Sequence, residues 1–406
     1  MTRLTRLALA AGVALSLLAA RSAHAQVMCN DASLVNPIIV SGSTAFEPTL
    51  KQFAVKLTAE ATPMTIILAT GSNASGSCTG VATIVNGTDL GGTAGRYYTL
   101  VAGAITNNAC TFATGQKADV AISDVFYESC GNVTQPKPTT ISDVSGPAQA
   151  MVFVVPKANT TTQYLTYKEA QTVYGCGAGG AVSPFIEAAG IFCRDPNSGT
   201  QITVAKNIGV PETVLVPQIC VASSGTGAVV TNVSNYANPQ AAIGFIAADA
   251  FDAQRGVLNS LAFASLGQSQ AYYSDSGPAV ADRRNVRDGH YTIWGYEHIV
   301  APLTNGNPTQ KVVDFTGYIN GTKTSPNFDA ADLEGTAGAI PICAMKVKRA
   351  ADGGLLSSFT PSETCSCLFE KAISKATTPP TGCTACTGTG ASTCTGGLTC
   401  QHGFCE

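Results

Sequence analysis

The 406-residue chain carries 23 Lys and Arg against 26 Asp and Glu, and only 12% of its residues are charged. So sparse and balanced a charge set excludes the basic stripe that nucleic-acid binding requires. Fifteen cysteines argue against a reducing compartment and for disulfides as their first use.

In chain order, Arg3 and Arg6 precede the apolar run 7–20 and then Ala23-His24-Ala25. This is the three-part pattern of a cleaved secretory leader, predicted over residues 1–25. The run is too short to span a bilayer, and no later stretch reaches the ~18 apolar residues of a transmembrane helix. No lipobox precedes Cys29. The mature chain is therefore expected in the periplasm or at the cell surface, with 20 Lys and Arg against 26 Asp and Glu, a formal charge of −6.

Pro37 to Val40 reads as a strand running into Ser41-Gly42-Ser43-Thr44, and Leu50, Phe53, Ala54 and Leu57 recur at helical spacing. Met64 to Ala69 is the next predicted strand, followed by a Gly/Ser-rich loop that includes Ser77. Ala118 to Ile122, ending at Ser123-Asp124, and Ala150 to Val155 are further strands. Thr166 and Glu169 fit a capping box for a helix over 167–174 that Gly175 ends. Ser198 to Thr200 and Ser223 to Gly227 each open a helix, and 241–246 reads as a buried strand. Strands alternating with helices predict α/β layers with parallel pairing, where ligands sit beyond the carboxyl ends of strands. Thr44, Ser77 and Asp124 all fall at such ends.

The run Arg194-Asp195-Pro196-Asn197-Ser198-Gly199-Thr200 carries the chemistry. A helix opening at Ser198 offers unpaired N–H groups and a positive dipole end to an anion. Arg194 adds a full charge and a rigid fork of donors. Thr44 could equally cap a helix with Glu47, Asp124 could cap the next element, and Arg194 could pair with Asp195.

Taken together, these segments resemble the phosphate-binding, PstS-like substrate-binding proteins of ABC transporters over roughly residues 35–300. The resemblance rests on Gly42-Ser43-Thr44-Ala45, Gly76-Ser77, Ala121-Ile122-Ser123-Asp124, the full Arg194-x-x-x-Ser198-Gly199-Thr200 and Ala242-Ile243-Gly244-Phe245. It implies a two-lobed α/β periplasmic binding protein type II fold with a hinged cleft. It also implies phosphate held by Thr44, Ala45, Ser77 and Asp124 on one lobe and by Arg194, Ser198, Gly199 and Thr200 on the other. In that arrangement Asp124 accepts the one proton of hydrogen phosphate, which sulfate lacks. Four features depart from the family. Pro196 stands where an acid is usual, Cys78 and Cys193 directly flank Ser77 and Arg194, the stretch between Ser77 and Asp124 is long, and the tail is Cys-rich.

The expected division is residues 26–147 and 288–368 for one lobe and 148–287 for the other. A linker over 369–382 then leads to a disulfide-stapled appendage over 383–406. Cys383 and Cys386 are read as disulfide-bonded rather than as a metal site, because the tail lacks apolar residues for a core. No cofactor or metal is predicted. The expected function is capture of inorganic phosphate by a monomer, with an ABC-transporter permease as its partner. The alternatives are a non-catalytic surface or structural protein on the same fold, and a phosphate-ester hydrolase. The scarcity of histidines and the absence of a nucleophile–base motif disfavour an enzyme.

Overall fold

The computed structural model describes residues 27–211, 214, 219–388 and 394–406, so the expected leader lies outside the described residues. Strand β1 (Pro37–Gly42), helix α1 (Glu47–Leu57) and strand β2 (Thr65–Ala69) form the first unit. Helix α1 buries Leu50, Phe53, Ala54 and Leu57, the stripe that its sequence spacing marks. Helix α2 (Ser77–Val85) follows, and strand β5 (Val120–Ser123) closes the parallel set by pairing with β1. Between them, β3 (Ala94–Val101) and β4 (Ala104–Thr111) form a hairpin. Its two-residue turn places Ala102 and Gly103 at φ 49° and 82°, the conformation whose twist suits tight hairpins. The long stretch between Ser77 and Asp124 is thus a helix plus an edge hairpin.

The sixteen-residue strand β6 (Ile141–Pro156) is followed by α3 (Tyr167–Cys176), β7 (Phe192–Arg194), α4 (Gly199–Ile208), β8 (Val221–Ser223), α5 (Thr226–Ser234), β9 (Gly244–Ala247) and β10 (Leu258–Ser260). The Thr166–Glu169 capping box is formed, but α3 runs past Gly175 to end at Gly177. Strand β11 (Trp294–Pro302) pairs antiparallel with both β5 and β6, and helices α6 (Gln310–Ile319) and α7 (Ala330–Ala337) follow it. The nine-stranded sheet runs β9-β6-β11-β5-β1-β2-β3-β4, with β10 also on β6. Within it only β1–β2 and β1–β5 are parallel. The expectation of general parallel pairing is corrected: β6 takes antiparallel partners on both flanks because it runs through both halves of the sheet. Its length also explains why 150–155 reads as a short strand; the preceding residues pair with β11 and are less uniformly apolar.

One buried cluster gathers Ile38, Phe53, Val120, Ile299 and Phe315 around β1 and α1. A larger one gathers Phe153, Tyr174, Phe245, Phe263 and Trp294 around the second half of β6.

The tail is fastened to the body, although it lacks the apolar residues to build a core of its own. Cys343–Cys365 and Cys367–Cys383 tie helix α8 (Ser366–Ser374) to both sides, while Cys386–Cys400 and Cys394–Cys405 staple the tail itself. Phe404 is 4% exposed and joins the larger core cluster. The Glu406 carboxylate accepts from the Ser366 and Cys367 N–H groups at the start of α8, where its charge also suits the helix dipole. Cys29–Cys110, Cys78–Cys130 and Cys193–Cys220 complete the set, leaving Cys176 as the free, exposed thiol. Phe404→Ala should therefore lower stability by roughly 3 kcal/mol, as for a buried aromatic elsewhere. Denaturant unfolding without reductant measures this, and an unchanged midpoint would mean that the tail is not packed.

Candidate functional site

Three close backbone approaches shape the first-lobe loops. Gly42 has φ 106°, and a Cβ there would lie 2.0 Å from the Ile122 carbonyl oxygen. A Cβ on Gly80 of α2 would lie 2.3 Å from the Gly42 Cα, so α2 presses directly on the end of β1. The Gly76 N–H donates to the Gly42 carbonyl at 2.8 Å. These contacts bring Ser43, Ser77 and Asp124 together although they lie far apart in sequence. The Ser43 hydroxyl donates to the Asp124 carboxylate, and its oxygen accepts from the Ala45 N–H at 3.0 Å. The Asp124 N–H donates to the Ser77 hydroxyl at 3.2 Å. Thr44 forms no capping box; Phe46 is the N-cap of α1, without a side-chain cap.

Opposite stands α4, with Ser198 as its N-cap. A Cβ on Gly199 would lie 2.3 Å from the Ser77 hydroxyl oxygen and 2.8 Å from an Asp124 carboxylate oxygen. Only glycine allows that approach. The Cys78 N–H donates across to the Asn197 carbonyl at 3.1 Å, and Thr203 donates to the Asp124 carbonyl at 3.4 Å. Ser77, Asp124, Ser198 and Thr200 are each no more than 2% exposed. They form a closed junction, with Cys78–Cys130 and Cys193–Cys220 bracing the two segments that meet there.

Asp124 is pushed above the usual carboxylate range by burial, against the opposing pull of Ser43, Glu297, Arg194 and Ser77. Glu297 of β11 is fully buried and lies beside it. Gly146 and Pro147 of β6 bulge opposite this single residue, between the pairs Tyr296–Ala148 and His298–Ser145. Bulges re-aim side chains and tolerate proline. Neither oxygen of the Glu297 carboxyl has a hydrogen-bond partner. Burial first, and the neighbouring Asp124 next, push Glu297 well above its ordinary range. Ser43 lies within the Gly42-Ser43-Thr44-Ala45 motif without standing out as a site residue, and Glu297 carries no motif; sequence reasoning missed the part that each plays.

Arg194 is 4% exposed. Its guanidinium donates to Thr226 at 3.2 Å, its N–H donates to Gln201 at 2.8 Å, and its Nε has no partner. Among the described residues it makes no ion pair with Asp195, although burial lowers its pKa and the fields of Asp195 and Asp124 oppose that. A pocket of ≈ 290 Å³ opens here, lined by Thr44, Ser75 and Gly76 on one side and by Arg194, Asp195, Ser224 and Gly225 to Gly227 on the other. The start of α5 thus brings a helix N-terminus to the pocket, one that the sequence marks as a helix start but not as part of a site. Glu47 also lines the pocket; burial would raise it, but Lys51 and Arg96, at 3.0 and 2.6 Å, outweigh burial and hold it low. Of the eight residues named from sequence, Thr44 and Arg194 line this pocket, whereas Ala45, Ser77, Asp124, Ser198, Gly199 and Thr200 are buried and do not line it.

No protein-family model and no curated protein sequence matches the chain. Solved structures do. One is a candidate phosphate ABC transporter substrate-binding protein with bound phosphate from Clostridium perfringens, 15% identical with a TM-score of 0.51, covering 76% of this chain and 100% of that one. Another is an ABC-type phosphate transport receptor from Vibrio cholerae, 17% identical with a TM-score of 0.45, covering 75% and 99%. The OxyR regulatory domain from Pseudomonas aeruginosa matches at 10% identity and a TM-score of 0.37, covering 70% and 96%. The chain has the mixed α/β fold of periplasmic binding proteins.

The proton on Glu297 has a consequence for stability. A folded-state pKa raised above the ordinary ~4.3 contributes stability at low pH that is lost as pH rises toward the folded value. Glu297→Gln keeps the shape and the donor without the ionisable proton. The parent should therefore lose stability relative to the variant as pH rises above about 4.3, by upward of roughly 1 kcal/mol. Thermal unfolding across that range measures the gap; parallel curves would show that Glu297 does not titrate against Asp124.

Proposed function

We propose that this chain is an exported solute-binding protein that captures inorganic phosphate between two lobes and delivers it to an ABC-transporter permease. The proposed lobes are residues 26–147 with 288–368, and 148–287. The observation that carries the reading is Arg194. It is a buried cation without an ion-pair partner among the described residues, beside a small pocket lined by Thr44, Asp195 and the N-terminus of α5. An isolated buried charge is costly, and an oxyanion there would compensate it while accepting from N–H groups and hydroxyls.

The proposed ligand residues are Thr44, Ala45, Ser77, Asp124, Arg194, Ser198, Gly199 and Thr200, joined by Thr226. Because Gly199 packs on Ser77 and Asp124, phosphate reaches Asp124 only if α4 withdraws from that wall. Opening on β6 and β11, which run between the lobes, is the motion this requires. Asp124 then accepts the phosphate proton, and sulfate, which has none near neutrality, meets an unpaired carboxylate. The proposed location is outside the cytoplasm: seven disulfides fit an oxidising compartment, and no helix among the described residues is long and apolar enough to cross a membrane. The reading is of a binder, not an enzyme.

Calorimetric titration with phosphate, sulfate and molybdate tests it. Phosphate should bind at roughly micromolar affinity or tighter, about −8 kcal/mol, and well ahead of sulfate. Arg194→Ala should cost about 2–5 kcal/mol of that binding. Asp124→Asn should cost less and admit sulfate. Sulfate binding as tight as phosphate defeats the selectivity argument, unchanged affinity in both variants moves the site elsewhere, and release of phosphate from a phosphate ester makes the protein an enzyme.

A further inference from the structure

The docked tail completes a second, larger concavity on another face of the molecule. A cleft of ≈ 830 Å³ lies between the 320–329 loop, residues 341–343, the 359–363 segment and His402 of the tail. It is large enough for an organic molecule. Helix α7 (Ala330–Ala337) lines it through Glu334, which is 4% exposed. No hydrogen bond or ion pair reaches the Glu334 carboxyl among the described residues, and burial, followed by the field of Asp329, pushes it well above its ordinary range. A buried acid without a donor is an unfavourable arrangement.

The cations on the wall do not answer it. His402 is paired with Asp329 at 2.6 Å, and Lys323 with Asp314 at 2.7 Å. Glu363 adds a further acid to the lining, while Phe328 and Phe359 supply aromatic surface. The lining offers no set of three ligand atoms close enough to hold a bare metal ion. The one such cluster among the described residues is Cys386, Cys394 and Cys405, all of them in disulfides. What the cleft lacks is a positively charged hydrogen-bond donor carried on an apolar body.

We propose that this cleft binds a small organic ammonium compound whose charged nitrogen pairs with Glu334 and whose carbon skeleton lies between Phe328 and Phe359. The tail, through His402, forms one wall of the site. The ammonium replaces the missing donor, and Asp329 and Glu363 favour its approach.

The test is calorimetry on the full, oxidised chain with 2-phenylethylamine and putrescine as probes, and 2-phenylethanol and 3-phenylpropionate as uncharged and anionic controls. At least one amine should bind with one-to-one stoichiometry while neither control does. Glu334→Gln should weaken the amine at least tenfold. Ser362→Trp, which crowds the exposed rim of the cleft, should abolish binding without touching α7. Phosphate titration of the same samples should be unaffected by either change, so this site and the Arg194 site fail or succeed separately. Binding of neither amine, equal binding of the alcohol, or full affinity in Glu334→Gln overturns the proposal. If Glu334→Gln does not fold, retained amine binding by Ser362→Trp overturns it instead.

Discussion

The antiparallel pair β6–β11 is the constraint on which the rest of the structure depends. Strand β6 joins the sheet built on β1 and β5, through β11, to the strands β9 and β10. A ribbon of two continuous strands bends more readily than it shears, because sliding would break every ladder hydrogen bond at once. It therefore holds α4 opposite Asp124 with little lateral freedom. The ribbon also contributes to the chemistry. The bulge at Gly146 and Pro147 stands opposite Glu297, which interacts with Asp124, so the strands that connect the two halves also contribute an acid to the junction.

That junction is buried and crowded, and its electrostatics follow from the crowding. Asp124 is served by Ser43 and Glu297 and by no lysine; Arg194 is served by the neutral Thr226. Charges kept apart in this way remain available to a charged ligand, whereas a tight Arg–Asp pair would satisfy both groups and leave nothing to bind. Two acids line the pocket: Glu47 is drawn away by Lys51 and Arg96, whereas Asp195 stands next to Arg194 without an ion pair to it.

Disulfides provide the rigidity that weakly apolar segments cannot. Cys29–Cys110 closes a separation of 81 residues and ties the N-terminal segment to the edge hairpin, where loop-closure entropy makes a crosslink effective. At the other end, Phe404 supplies the apolar contact and Glu406 the capping contact that turn a Gly/Thr-rich tail into part of the body. Composition suggests an appendage because it counts apolar residues, and a single well-placed aromatic is enough to dock one.

The features legible in the sequence are those that local physics determines. The β1–α1–β2 unit follows from hydrophobic spacing, the start of α3 from the Thr166–Glu169 box, and the start of α4 from Ser198 and Gly199. Arg194, Thr44, Ser77 and Asp124 stand out because their residue types suit an anion at strand and helix ends. The antiparallel majority of the sheet, the cysteine pairing, and the parts played by Ser43, Glu297, Thr226 and Glu334 were not legible. Each depends on which distant segments meet. Ser43 reaches Asp124 only because Gly42 and Gly80 let α2 press on β1, and Glu297 interacts with it from β11, opposite the β6 bulge. The local sequence determined which groups could serve an anion site; the tertiary structure decided which of them are already satisfied by one another, because burial and hydrogen bonding are set by neighbours that chain order does not reveal.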